Sequence, residues 1–252
     1  MGVKLKAVDR GCKLRLWSVL FLAGALVGCP SRPPVPPAPL RAPEAAPPAA
    51  PRVGRPYDLD AKQSLLTVLV YRGGALASAG HNHVIASHTL SGTVYLPAEL
   101  GAASFEVHVP VASLTVDEAP LRAAQSAADF PPDVSDGARD GTRRNMLSAA
   151  VLDAAEYPEV VLRCARLEGA AQPPAGDATA LIDAAVRDRS HTLHVPLHYE
   201  LSADTLTVTG EMPLRQSELG LTPFSALLGA LAVEDEMRVR FRIVARAAPL
   251  AH

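Results

Sequence analysis

From Met237 onward, apolar and basic side chains change places at every residue: Met237, Val239, Phe241 and Ile243 alternate with Arg238, Arg240 and Arg242. A period of two sends successive side chains to opposite faces, so the segment is expected to be an antiparallel strand with one face on a core and the other in water. The same Val-, Leu- and Thr-rich character recurs at Ser64 to Tyr71, Thr89 to Leu96, Ser104 to Val109, Val160 to Leu167, Thr179 to Val186, Thr192 to Leu201 and Thr205 to Leu214. Together with Met237 to Ala245 these predict an all-β chain, an antiparallel barrel of about eight strands. Leu121 to Ala128 and Asn145 to Asp153 have the composition of short helices. Between them, Pro131-Pro132 and Asp133 to Gly141 are expected to form a loop.

The N-terminal quarter cannot belong to that core. Lys4, Lys6, Arg10, Lys13 and Arg15 precede an apolar run from Leu16 to Val27, the pattern of a secretory signal that is too short for a comfortable membrane span. Leu26-Val27-Gly28-Cys29 resembles the bacterial lipobox, which implies cleavage after residue 28 and lipidation of Cys29. An ordinary cleaved signal or an uncleaved anchor are the alternatives. Pro30 and Ser31 follow, without the Asp that marks inner-membrane retention, which favours the outer membrane. Residues 29–56 are dominated by Pro and Ala and read as a semi-rigid tether of about 3 Å per residue. With Cys12 in the signal and Cys29 at the lipid site, Cys164 is the one cysteine left in the folded part. Its parity with Val160 and Leu162 predicts a buried, unreactive thiol.

A net charge of -2 argues against a nucleic-acid surface. The segment leading into the last strand, Gln216-Ser217 to Glu236, is too apolar for a plain surface turn and too rich in Gly and Pro for a helix. Its QSELGLTPFSALLGALAVEDE pattern resembles the C-terminal part of the YceI-like family, periplasmic barrels associated with lipids and polyisoprenoids. Two further stretches, Ser91-Gly92-Thr93-Val94 and Val151-Leu152-Asp153-Ala154 with Glu156-Tyr157-Pro158-Glu159-Val160, resemble other anchors of that family in the same order. The chain departs from the pattern at Asp188, where the family carries Gly, and in an apparent insertion from Glu118 to Gly137. The resemblance implies a lipocalin-like barrel over residues 57–248 that holds a polyisoprenoid, an isoprenoid quinone or another long lipid, with no other cofactor.

Val68, Val70, Val107, Leu162, Val195, Leu197, Val239 and Phe241 fall on the wall of such a pocket by parity, with Phe224 and Leu227 covering an end. For each of them ordinary core packing is the competing reading. The sharpest local signal is Gly80-His81-Asn82-His83. In an extended segment His81 and His83 lie on one side, so they could line the pocket and orient a headgroup, ligate a transition metal or haem, or hold a turn. His194 and His198 take the outward parity, as does His108. The arginine row on the last strand fits a solvated face, or one that attracts anionic headgroups. Asp117-Glu118 and Glu234-Asp235-Glu236 read as turn chemistry. No nucleophile-and-base motif stands out, so the chain is expected to be a binding protein, not an enzyme. Its expected partners are a lipid ligand and the membrane reached through Cys29, with the oligomeric state, a homodimer included, left open. The rival classes are a metal- or haem-handling redox accessory protein and a structural envelope module without ligand.

Overall fold

A computed structural model describes residues 52–248. The signal, the lipobox Cys29 and nearly all of the tether lie outside the described residues. The chain forms β1 (Arg55–Leu59), β2 (Leu65–Gly73), β3 (His83–Ser87), β4 (Ser91–Leu96), β5 (Ser104–Pro110) and β6 (Thr115–Val116). Two helices follow, α1 (Ala119–Ala123) and α2 (Asp136–Leu147). The remaining strands are β7 (Glu159–Glu168), β8 (Ala175–Val186), β9 (Arg189–Ser202), β10 (Thr205–Arg215), β11 (Ser225–Ala226) and β12 (Leu231–Ala247).

Eight strands close an antiparallel barrel in the order β1-β4-β5-β7-β8-β9-β10-β12, with β12 returning to β1. The expected fold class therefore holds, although one member of the ring differs from expectation. The Ser64–Tyr71 segment is β2, which pairs with the N-terminal part of β12 and continues the sheet to β3 and β6. The ring is completed by β1, a short strand hidden in sequence by Pro56 and two charged residues. At the hand-over from β1 to β2, Ser64 bridges the missing rung: its hydroxyl accepts from the Val244 amide at 3.0 Å and donates to the Val244 carbonyl at 3.3 Å.

The register confirms one inner face. Val239 lies opposite Val68 and Met212, Phe241 opposite Leu66 and Gly210, and Val107 opposite Leu162. One end of the barrel is filled by a packed core of Tyr57, Val94, Leu100, Tyr199, Leu206 and Ala245. On the outer face of β2 and β3, Leu69 and Val84 are 2% and 1% exposed beneath Phe130, which the segment after α1 folds over them.

The helical expectations shift in position. The segment expected to be a loop carries α2, started by Ser135, whose hydroxyl accepts the Ala138 amide at 3.2 Å. Of the helix expected from Asn145 to Asp153, residues 145–147 are the end of α2 and residues 148–153 form turns. Gly137 and Gly141 disguise α2, which has no buried residue and so lacks the apolar periodicity by which helices are recognised.

Candidate functional site

Four of the eight residues expected on the wall from parity lie in one cluster. Leu162, Val195, Leu197 and Phe241 meet Phe105 and Met212 in one cluster drawn from strands on opposite sides of the ring. Val68, Val70 and Val239 extend the same inner face toward the other end. The burial of these groups is informative. Leu66, Val68, Val70, Leu162, Val208 and Phe241 face inward yet are only half-buried, whereas Leu69 and Val84 on the outside are fully buried. Other inward groups, among them Cys164, Ala180, Ile182 and Val195, are buried, so the interior is packed in part. Near the packed end, an apolar cavity of about 60 Å³ lies among Val94, Phe105, Leu167, Leu197, Leu206 and Val208. A larger cleft of about 810 Å³ adjoins it along β8, β9, β10 and β12, sharing Leu197.

Phe224 is half-buried in the loop before β11, while Leu227 is 69% exposed beside Leu228. The loop itself is built by the acidic residues that resembled turn chemistry. The Gln216 amide donates to the Glu234 carbonyl at 2.8 Å, and Asp235 accepts from the Ser217 amide and hydroxyl at 2.9 and 2.6 Å. These bonds clasp a bulge of β12 between Val233 and Met237. They give the Gln-Ser and Glu-Asp halves of the motif a shared mechanical reason.

The Gly80–His83 segment enters β3. His83 pairs with Val70 and so takes the inner face, near its edge. Its Nδ1 lies 2.6 Å from Asp117 Oδ2 and its Nε2 lies 3.1 Å from Thr142 Oγ1 on α2. Since a carboxylate only accepts, Nδ1 carries the proton. Asp117 Oδ1 also accepts from the Val84 amide at 2.9 Å and from Arg122 Nη1 at 2.7 Å. Arg122 ties down the insertion as well, donating to the Asn82 and Pro131 carbonyls at 2.8 and 2.6 Å, with its guanidinium 5.7 Å from the Phe130 ring. Burial alone would push the Asp117 carboxyl up. The hydrogen bonds from His83 and the Val84 amide, with the fields of His83 and Arg122, outweigh it and hold the group below the usual carboxylate range.

Asn82 is also engaged with backbone. Its Oδ1 accepts from the Arg72 amide and its Nδ2 donates to the Asp129 carbonyl, both at 2.9 Å. His81 is exposed, its ring centroid 6.1 Å from that of His83. Among the described residues no group of three His, Cys, Asp or Glu is placed to hold a metal ion. Cys164 is fully buried, and burial pushes its thiol up. Sequence reasoning read Asp117 as turn chemistry and missed its pairing with Arg122, which sits in the segment that looked like an insertion and carries no periodic signal.

The sequence profile of the YceI-like domain matches residues 57–245. The chain belongs to the YceI-like family. Solved structures of similar fold agree with this membership. Burkholderia cenocepacia BcnA superimposes with a TM-score of 0.51 at 17% identity, over 74% of this chain and 99% of that one. A polyisoprenoid binding domain from Saccharophagus degradans, implicated in plant cell wall breakdown, gives 0.51 at 14% identity over 76% and 98%. No protein of curated function matches the chain by sequence. At these identities the structures establish the shared fold.

Proposed function

We propose that this YceI-like chain is an envelope lipoprotein, anchored through Cys29 to the outer membrane, whose barrel binds one long apolar lipid and serves as its carrier or store. A polyisoprenoid, an isoprenoid quinone or a fatty amide fits the chemistry. The observation that carries the reading is the inner face, on which Leu197, Val208 and Phe241 are only half-buried and line an apolar cavity of about 60 Å³ or the adjoining cleft of about 810 Å³. The cleft combines the apolar groups Ala178, Leu197 and Phe241 with the charged groups Glu168, Asp177, Glu211 and Arg240, a mixture that suits a hydrocarbon tail carrying a polar headgroup. The polyisoprenoid-binding description of the Saccharophagus degradans domain supports the same ligand class.

The role of the Gly80–His83 segment follows from its bonds. His83 and Asn82 spend their polar atoms on Asp117, Thr142 and backbone, so they hold the edge of the pocket in shape and leave His81 as the group free to meet a headgroup. Native mass spectrometry and organic extraction of the full chain, expressed to the envelope, test the reading. Close to one equivalent of a long-chain lipid or quinone, together with an acylated N-terminal Cys29, is the expected result. A lipid-free chain with one bound metal, lost on His81→Ala with His83→Ala, would transfer the function to those histidines.

A further inference from the structure

The ladder around the barrel has a break. β9 pairs with β10 only from Ser202↔Thr205 to His198↔Thr209. Yet β9 runs on beside β8 as far as Arg189, and β10 runs on beside β12 as far as Arg215. Beyond His198 and Thr209 the two strands therefore part, and each continues with a ladder on one side. The gap ends at the turn after β10, where Gly220 lies against His191; a Cβ at 220 would stand 3.1 Å from the imidazole Cε1. There Leu219 and Leu221 pack onto Ala184 and Val186.

The cleft of about 810 Å³ opens at this break, and its lining comes from both faces of the wall. Pro196, Glu211 and Arg240 belong to the outer face, while Ala178, Leu197 and Phe241 belong to the inner one. A groove on the surface of an intact sheet would draw on outward residues alone, because neighbours in a strand alternate. The cleft therefore reaches residues of both faces. Two residues suit that position. Pro196 has no amide proton to leave unpaired at a strand edge. At Gly210 a Cβ would stand 2.3 Å from Phe241 Cζ and 2.7 Å from the Pro196 carbonyl oxygen, so the aromatic ring rests on bare backbone at the threshold.

We infer that the parting of β9 and β10 is a side portal through which a long apolar chain slides between the protein surface and the barrel interior, with Phe241 as its threshold. The inference rests on the lipid-binding reading above. One other route is closed, since one end is filled by the Tyr57–Tyr199–Ala245 core. The outer lip carries an ion-paired rim, in which Glu211 accepts from Arg238 at 2.8 Å and Arg240 at 2.9 Å. Such a rim offers polar contacts to a headgroup left outside while the tail enters.

The test is a covalent bridge across the gap. Continuing the His198↔Thr209 register places His194 opposite Pro213, and both are exposed. The full chain carrying His194→Cys with Pro213→Cys is joined by a short bis-maleimide. Cys164, fully buried, stays out of the reaction; the processed chain of the reading above has lost Cys12 and carries Cys29 acylated, and the singly bridged species is identified by mass. Retinol, an isoprenoid whose fluorescence rises on burial, reports uptake and release. The unbridged variant should exchange retinol at the parent rate, the bridged form about tenfold or more slowly, as expected when a gate is held shut. In a separate variant, Phe241→Ala should speed uptake and release together. A bridged form that exchanges as fast as the unbridged one overturns the portal while leaving the binding site intact. A parent chain that neither takes up retinol nor co-purifies with lipid removes the lipid-binding reading, and the portal with it.

Discussion

The carboxylate of Asp117 and the guanidinium of Arg122 meet at 2.7 Å with side-chain exposures of 0% and 2%. This pair pins the β6–α1 segment to the start of β3, and Arg122 Nη2 is left buried without a hydrogen-bond partner, against the Phe130 ring. Asp117→Asn strands the arginine charge and Arg122→Met strands the carboxylate, so each is expected to cost about 3–5 kcal/mol in urea unfolding. The double variant should cost well under the sum, since neither charge is then left alone. Costs that add to within about 0.5 kcal/mol would show that the two groups act independently.

The depressed Asp117 pKa also contributes to the acid limb of stability. The folded pKa lies below the unfolded value of about 3.9, so in the interval between them the unfolded chain binds more protons and stability rises with pH. The Asp117 contribution is complete above the unfolded pKa and is lost as pH falls through the folded one. Urea midpoints of the parent should therefore fall on acidification through this window, and Asp117→Asn should flatten that part of the profile. An unchanged slope in the variant would place the acid sensitivity in other carboxylates.

How much of this could be read from residues alone depended on whether a segment repeats at a fixed period. The alternation of Met237, Val239, Phe241 and Ile243 located β12 and its inner face, and parity carried the assignment to Val107, Leu162 and Leu197. β1 escaped because five residues with a proline and two charges hold too few periods to register. α2 escaped because it buries nothing. The bonds among His83, Asp117 and Arg122 join residues 34 and 5 positions apart in the chain, a proximity that arises only when the insertion folds back over β2 and β3. The parting of β9 and β10 was equally invisible, since the residues along it alternate as regularly as those in an intact ladder.

Leu228 is an exposed leucine at φ 56°, following Leu227 at φ 51°. Its side chain is fully solvated, with a relative exposure of 109%. A left-handed conformation costs a branched L-residue about 1–2 kcal/mol, partly offset on replacement by the greater freedom glycine has when unfolded. Leu228→Gly is therefore expected to stabilise the chain by about 0.5–1 kcal/mol, seen as a higher Tm with unchanged lipid content. A lower Tm would mean that the leucine has a packing partner.

The inner wall can be probed by filling it. Val68 faces inward opposite Val239 and is half-buried. In a close-packed core, Val→Trp would force the surroundings apart at a cost of about 1–3 kcal/mol or more. In a hollow barrel the indole enters existing space, so Val68→Trp is expected to unfold within about 1 kcal/mol of the parent. The same variant should hold markedly less lipid after organic extraction, since the ring occupies room the ligand needs. The one tryptophan of the parent is Trp17, in the predicted signal, so a blue-shifted emission from the processed variant reports the environment of residue 68 alone. A red-shifted indole with full lipid content would place position 68 outside the ligand's path. A loss of several kcal/mol would show that the space between the strands is already filled by side chains.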